Sequence, residues 1–267
     1  MGIGRSTLLG IALWCGFSQT AQAGAWNQNA GEGLVITTSG WFHASDLFQG
    51  DDVRVDFNGF TKTEMRLWLE SGLTQNLTLV VNGAYQDLDY RDNLNVIKYE
   101  GFDDVDIGVQ WQVVRKEGLA AAIRASYVID SRIDNRFLDV QSNGDTLEFR
   151  ALLGQSRETL IGDFFHDTQL AARMGYQGQF DSVHGTFTLG YKPTERYSLM
   201  AQGFADYTQS LADDGDRNQD RSQISGQLSL VHQFKPGRYA QIGGKMTFDG
   251  KNAVKERALL FSVWTEY

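Results

Sequence analysis

The sequence predicts an all-β fold, namely a transmembrane up-and-down antiparallel β-barrel of about twelve strands. Three observations lead to this prediction. Apolar and polar residues alternate with period two in segments of roughly ten residues, which is the length of a tilted membrane-spanning strand. Short and long connections between these segments alternate along the chain. The C-terminal segment Leu259–Tyr267 also alternates, and it ends in an aromatic residue.

The N-terminal residues Met1–Ala23 are predicted to be a secretory signal peptide. A short apolar run follows Arg5, and Ala21–Ala23 has the small-x-small pattern of a cleavage site. An uncleaved membrane anchor is the alternative, but the apolar run is too short to span a bilayer. Cleavage would remove Cys15, the one cysteine, and leave residues 24–267 as a single barrel domain.

The alternation is clearest between Phe57 and Ser71. A strand separates the two residue sets of this segment, whereas a helix would mix them. The charged residues fall on one face and the apolar residues and Thr61 on the other: Lys62, Glu64, Arg66 and Glu70 against Phe57, Thr61, Met65, Leu67 and Leu69. The segment from Val105 to Val113 repeats the pattern.

The connections predict which end of each strand faces which compartment. Outer-membrane barrels have short periplasmic turns and longer outer loops. Four connections are short: Thr74–Asn76, Arg115–Gly118, Lys192–Glu195 and Lys235–Gly237. Four are longer and polar, near 45–56, 90–100, 132–144 and 211–221. The connection around Gln155–Asp163 is predicted to be longer than its side of the barrel requires.

A soluble β-sandwich would also show alternation, so other features must separate the two folds. Aromatic residues cluster at the ends of the predicted strands, as the interfacial girdles of a membrane barrel do; they are Trp68, Trp111, Tyr127, Tyr176, Tyr191, Tyr197, Tyr207 and Tyr239. The final segment resembles the C-terminal recognition strand of outer-membrane barrels, with Phe261, Val263, Trp264 and Tyr267 as its residues. Both features favour the barrel.

Composition and motifs exclude several classes of function. The net charge of −9 gives no basic surface for nucleic acid, so no nucleic-acid partner is predicted. Enzyme and metal motifs are absent, and no cofactor is expected. Ser229 and His232 are near in sequence, but their side chains point to opposite faces of one strand. The acidic run Asp213–Asp220 lacks the spacing of a calcium loop and is interpreted as solvated. We therefore predict that the chain is not an enzyme.

The inward face of the predicted barrel carries charges of both signs. Such charges must be paired or hydrated. Two interpretations remain: a hydrated channel whose charged walls filter solutes, or a narrow barrel closed by ion pairs. The charged residues assigned to the lumen are Lys62, Glu64, Arg66, Glu70, Asp104, Asp106, Arg124, Asp130, Glu148, Arg150, Asp167, Arg173, Lys192, Asp206, Lys245 and Asp249.

Three short motifs resemble those of the XagA-like outer-membrane proteins, within the broader group of phenol-degradation-pathway transporter barrels. The segment Gly24–Ile36 matches a family start of Gly-Ala-Trp-Thr-Gln followed by Gly-x-Gly and a strand, except that Asn27 replaces the threonine. Leu189–Pro193 is similar to the family's Leu-Gly-Tyr-Arg-Pro turn, and Gly250–Arg257 to its last outer loop. The resemblance implies an outer-membrane protein linked to exopolysaccharide and biofilm formation, and it implies no catalytic residues.

These observations lead us to expect a narrow channel, or an export or assembly component, in the bacterial outer membrane. The alternatives are a non-conducting adhesion barrel that works through its acidic outer loops and, less favoured, a barrel hydrolase. The expected partners are outer-membrane lipid, the barrel-assembly machinery and a polysaccharide or another small polar solute.

Overall fold

The computed structural model describes residues 24–49, 52–54, 59–91, 96–129, 144–175, 180–209 and 220–267. The predicted signal peptide Met1–Ala23, the candidate lumen residue Asp130 and nearly all of the acidic run Asp213–Asp220 lie outside these residues. The strands are β1 (Gly33–Ala44), β2 (Leu47–Gln49), β3 (Asp52–Arg54), β4 (Gly59–Gly72), β5 (Leu77–Arg91), β6 (Val96–Phe102), β7 (Val105–Lys116), β8 (Leu119–Ile129), β9 (Thr146–Thr159), β10 (Gly162–Gly175), β11 (Phe180–Thr194), β12 (Tyr197–Thr208), β13 (Arg221–Lys235), β14 (Arg238–Lys251), β15 (Ala253–Val254) and β16 (Arg257–Glu266).

Twelve long antiparallel strands form a closed barrel, which confirms the predicted fold. Strands that follow one another in sequence are neighbours in the wall, and β1 closes it by pairing with both β4 and β16. Closure leaves no exposed sheet edge, as a strand protein in a bilayer requires. Among the described residues, no helix is long and apolar enough to cross a membrane.

One wall position is shared by two strands. The outer half of β5 pairs with β6, and its inner half pairs with β7. Asp103 and Asp104 separate β6 from β7. β6 and β7 therefore act as one interrupted strand. β6 is the outer part of this strand and pairs with the outer half of β5.

The four connections predicted to be short periplasmic turns are short. A fifth connection is also short, contrary to the prediction. Gly118 and Gly237 each have a φ of 67°, a conformation that tight turns need and that glycine adopts without strain. The prediction of a long connection around Gln155–Asp163 is wrong, because β9 continues to Thr159 and β10 begins at Gly162. Leu160 and Ile161 form its tip, and such apolar residues give no sequence signal of a turn.

Most strands of the barrel have an apolar exposed face and a more polar enclosed face; the enclosed face of β1 is apolar, with Leu34, Phe42 and Ala44 buried. On β7, the side chain of Trp111 is 52% exposed, whereas its neighbour Gln110 is 1% exposed. Because the wall is closed, the enclosed face is the lumen and the exposed apolar face meets lipid. Among the predicted girdle residues, Tyr176 lies outside the described residues, and Trp68 and Tyr239 turn inward, where they bond to acidic side chains.

A small second sheet ties the outer loops together. β2 pairs with both β3 and β15, so the β1–β4 and β14–β16 connections meet at the outer rim. Below this sheet, four apolar side chains of β1, β4 and β16 pack together; they are Phe42, Ala44, Phe60 and Leu260. The rim sheet therefore rests on a local apolar cluster inside the outer end of the barrel.

Candidate functional site in the barrel lumen

The N-terminal segment, residues 24–32, precedes β1 and runs inside the barrel. Its backbone donates hydrogen bonds to side chains of three different strands. Ala25 N–H bonds Asp167 Oδ2 on β10 at 2.9 Å, and Asn27 N–H bonds Gln112 Oε1 on β7 at 2.7 Å. Gln28 N–H then reaches Thr78 Oγ1 on β5 at 3.1 Å. Because these three acceptors lie on the enclosed face, the segment lies inside the lumen. It follows the wall from β10 to β5, and with β1 and β4 this is about half of the barrel.

Side-chain amides return further hydrogen bonds to the segment. Gln110 Nε2 donates to the Gly24 carbonyl at 2.9 Å, and Gln112 Nε2 donates to the Ala25 carbonyl at 2.9 Å. Asn27 Nδ2 donates to the Gln110 carbonyl at 3.1 Å and to the Asn76 carbonyl at 2.9 Å. Buried polar groups are stable only when paired in this way, so the lumen wall is built to hold this segment.

Packing also fixes the position of the segment. Trp26 lies directly over Gly154, where an added Cβ would stand 2.2 Å from the indole ring. Ala25 packs into a buried cluster with Ala120, Ala122 and Leu152. These small residues leave the space that the segment fills. This position of the segment is not predicted from the sequence. The features that could have predicted it are the alanine run of β8 and the inward glutamines of β7.

Ion pairs follow one wall of the lumen, from β4 to β10. Glu148 is 1% exposed and accepts from Arg150 Nη2 at 2.7 Å and from Arg173 Nε at 3.0 Å. Arg173 also contacts Asp104 at 3.2 Å. Glu64 accepts from Arg66 Nε at 2.9 Å and from Lys62 at 3.1 Å.

Three further predicted lumen residues lie in the same wall. Arg124 stands opposite Arg150 in the strand register and above the ring of Trp68, with 5.2 Å from its guanidinium carbon to the ring centroid. Trp68 Nε1 donates to Glu70 Oε1 at 3.0 Å, and Gln28 Nε2 donates to Glu70 Oε2 at 2.8 Å. Asp106 is buried nearby at 4% exposure. The ionic wall therefore continues into the N-terminal segment.

The facing wall, from β11 to β14, is mostly uncharged. A chain of hydrogen bonds joins its side chains: Gln202 Nε2 to Thr188 Oγ1 at 3.3 Å, then Gln227 Nε2 to Gln202 Oε1 at 3.1 Å and to Ser229 Oγ at 2.9 Å. Lys245 projects into the lumen over the ring of Phe204, 4.9 Å from its centroid. The two walls differ in chemistry: ion pairs dominate one, and amides and hydroxyls are the commonest polar groups of the other.

The inner end of the lumen is narrow on the side that the segment does not cover. Leu34, Val231 and Trp264 form a buried apolar cluster there. The cavity between this cluster and Lys192 has a volume of about 20 Å³. Space of this size holds about one water molecule. The larger groove of about 990 Å³ lies on the outer surface, among exposed leucines such as Leu228, and faces lipid.

One residue predicted to line the lumen lies elsewhere. The alternation predicts an inward Asp249, but Phe248 is an extra residue in β14, and Asp249 pairs with the outward Ile224. A bulge of this kind reverses the alternation, so Asp249 turns outward. In the C-terminal strand, Phe261, Val263 and Tyr267 are exposed, whereas Trp264 turns inward at 7% exposure.

The described residues contain no group of three or more histidine, cysteine or acidic side chains that could hold a metal ion.

Comparison with solved structures places this fold among bacterial outer-membrane barrels. The COG4313 outer-membrane channel from Pseudomonas putida F1 aligns with a TM-score of 0.73 at 11% identity, over 93% of this chain and 100% of that one. The NanC porin aligns with a TM-score of 0.52 at 11% identity, over 86% and 98%. The translocator domain of the autotransporter NalP from Neisseria meningitidis gives 0.52 at 10% identity, over 89% of both chains.

No family model matches the sequence, and no curated protein matches it. The similarity to solved structures therefore defines a class, that of outer-membrane β-barrels. The apolar outer belt and the closed wall independently indicate a barrel that spans a membrane.

Proposed function

We propose that the chain is a narrow outer-membrane channel for small polar solutes, constricted from within by its N-terminal segment. The hydrogen-bonded passage of residues 24–32 through the lumen is the observation that carries this proposal. The two walls leave a path lined by ions on one side and by amides and hydroxyls on the other. A path of this kind favours hydrated polar solutes over apolar ones.

A carbohydrate is the solute class that we favour. The hydroxyl groups of a sugar can both donate to and accept from Gln202, Gln227 and Ser229, which lie on the uncharged wall. The resemblance of Gly24–Ile36 and Leu189–Pro193 to XagA-like proteins adds a link to exopolysaccharide and biofilm formation. In this proposal the C-terminal strand engages the assembly machinery, which places the barrel in the membrane.

Single-channel recording in planar bilayers tests the proposal. The full mature chain, residues 24–267, should conduct weakly, and removal of residues 24–30 should increase the conductance several-fold because the lumen is vacated. Oligosaccharides added to one side should then reduce the current of the shortened chain. A folded barrel that stays silent both with and without the segment would instead support the non-conducting adhesion barrel.

A further inference from the structure

Three side chains on β11 and β12 form a hydrogen-bonded relay. Ser182 Oγ lies 3.0 Å from His184 Nε2, and His184 Nδ1 lies 2.8 Å from Asp206 Oδ1. Ser182 and His184 are two residues apart on β11 and so share one face. Asp206 is the direct register partner of His184 on β12. The order of atoms, hydroxyl to Nε2 and Nδ1 to carboxylate, is that of a serine hydrolase triad.

The relay faces the lumen near the outer ends of its strands. Ser182 is 2% exposed and lies on the same face of β11 as the enclosed Thr188. The side chains of His184 and Asp206 are 22% and 43% exposed, so the relay opens toward the lumen on their side. The relay therefore lies beside the path of the proposed channel.

The backbone around Ser182 is irregular in a way that positions its side chain. Arg173 pairs with Ser182 and Met174 with Phe180, so the backbone of the intervening residue 181 has no register partner. Bulges of this type occur beside active sites, where they re-aim a side chain. Here the bulge immediately precedes Ser182.

We propose that Ser182, His184 and Asp206 form a hydrolytic site that cleaves short acyl esters entering the outer lumen. Ser182 is the nucleophile, His184 is the general base and acid, and Asp206 is the positioning residue that orients the imidazole. This activity goes beyond the proposed channel and does not depend on it. It also differs from the pair Ser229 and His232, whose side chains lie on opposite faces.

The chemistry needs only water as a second reactant. Ser182 Oγ attacks the ester carbonyl carbon while its proton passes to His184 Nε2. The bond from the acyl carbon to the alcohol oxygen breaks, and the leaving alkoxide takes that proton. Water then attacks the acyl-serine, gives a proton to Nε2 and releases the acid, after which the proton returns to Ser182 Oγ. The balance is ester and water to acid and alcohol.

A positive charge stands opposite the nucleophile. Arg173 is the register partner of Ser182 on β10, and its guanidinium is held by Glu148 at 3.0 Å and Asp104 at 3.2 Å. A fixed cation at this position favours the oxyanion that forms on the ester.

The substrate class follows from the neighbours of the relay. Thr208, the partner of Ser182 on β12, and Thr186, two residues beyond His184 on the same face, both carry hydroxyl groups. This polar surround favours a short acyl group on a polar alcohol over a long acyl chain.

A labelling experiment on the folded mature chain in detergent tests the site. The protein is treated with a fluorophosphonate probe, and the modified residue is identified by peptide mass mapping. Hydrolysis of p-nitrophenyl acetate is measured in parallel. The variants are Ser182→Ala, His184→Gln and Asp206→Asn, and Asp206→Glu tests rescue. Ser225→Ala is the matched control, because Ser225 is another enclosed lumen serine, on β13.

The probe should label Ser182 in the original chain and in Ser225→Ala, and labelling should disappear in Ser182→Ala. Hydrolysis should fall about 10³-fold in Ser182→Ala and His184→Gln, as in triads that lose a member. Asp206→Asn should slow labelling, and Asp206→Glu should restore part of the rate. Absence of labelling at Ser182 in the original chain, when heat-dependent gel mobility shows it folded, overturns the proposal, as does labelling that persists in Ser182→Ala.

Discussion

The backbone N–H of Ala25 donates a 2.9 Å hydrogen bond to Asp167, a residue 142 positions later in the chain. Asp167 lies on β10, and β1, which continues the N-terminal segment, lies across the barrel from it. This bond therefore fixes the first residues of the segment to the far part of the wall. Gly24 lies against the same carboxylate, since an added Cβ would stand 2.4 Å from Asp167 Oδ2.

Asp167→Ala should release the end of the segment and increase conductance. A buried hydrogen bond to a charged acceptor contributes about 1.5–3 kcal/mol, which is a factor of roughly 10–100 in the ratio of bound to released segment. Single-channel recording should show longer or more frequent open periods. Thr168→Ala is the control, because Thr168 is the adjacent exposed residue of β10. Equal open times in Asp167→Ala and the original chain would contradict the tether.

Gly154→Val should displace Trp26 from the wall. The new side chain would occupy the position of the indole ring, 2.2 Å from the added Cβ. Tryptophan fluorescence should shift to longer wavelength, because the ring moves from an enclosed site into water, and conductance should rise. Gly203→Val is a matched control, since an added Cβ at Gly203 meets nothing within 4 Å. If both variants behave alike, the close contact between Trp26 and Gly154 does not hold the segment.

Glu148→Gln should destabilise the barrel strongly. The neutral amide would leave Arg150 and Arg173 without the carboxylate that both contact. Breaking a buried ion pair by removing one partner costs about 3–5 kcal/mol. Urea unfolding of the protein in lipid vesicles measures the loss. Glu158→Gln, on the exposed end of the same strand, is the control and should unfold as the original chain does. An unchanged midpoint for Glu148→Gln would mean that water in the lumen already solvates both arginines.

Much of the barrel wall is predictable from sequence because the alternation is a local property. On β4, each charged residue from Lys62 to Glu70 takes the enclosed face that period two predicts. The prediction is wrong where the local rule is broken. The extra residue Phe248 reverses the face of Asp249, and the turn after Thr159 carries apolar residues at its tip.

The N-terminal segment and the relay lie beyond such local rules. Ala25 and Asn27 find their partners 142 and 85 positions away, and no periodicity marks those pairs. Ser182 and His184 do carry a local signal, a serine and a histidine on one strand face. These two residues form a relay only together with Asp206. The position of Asp206 opposite His184 follows from the register of β11 and β12, which the sequence pattern does not show.

Asn27 tests whether a side-chain amide helps to hold the N-terminal segment against the lumen wall. Threonine is close to asparagine in size but lacks the two N–H donors of an amide. Asn27→Thr removes the bonds from Nδ2 to the Asn76 and Gln110 carbonyls and the bond from Gln110 Nε2 to Oδ1, at 2.9, 3.1 and 3.0 Å. Each lost hydrogen bond costs about 0.5–1.5 kcal/mol, so the segment should detach more readily and the channel should open more often. Asn29→Thr is the matched control, because the side-chain amide of Asn29 donates to the exposed Glu32 of the segment itself and not to the wall, among the described residues. Hydrogen exchange at the backbone N–H of residue 27 should accelerate in Asn27→Thr alone, and equal protection in both variants would show that the backbone bonds hold the segment without the side chain.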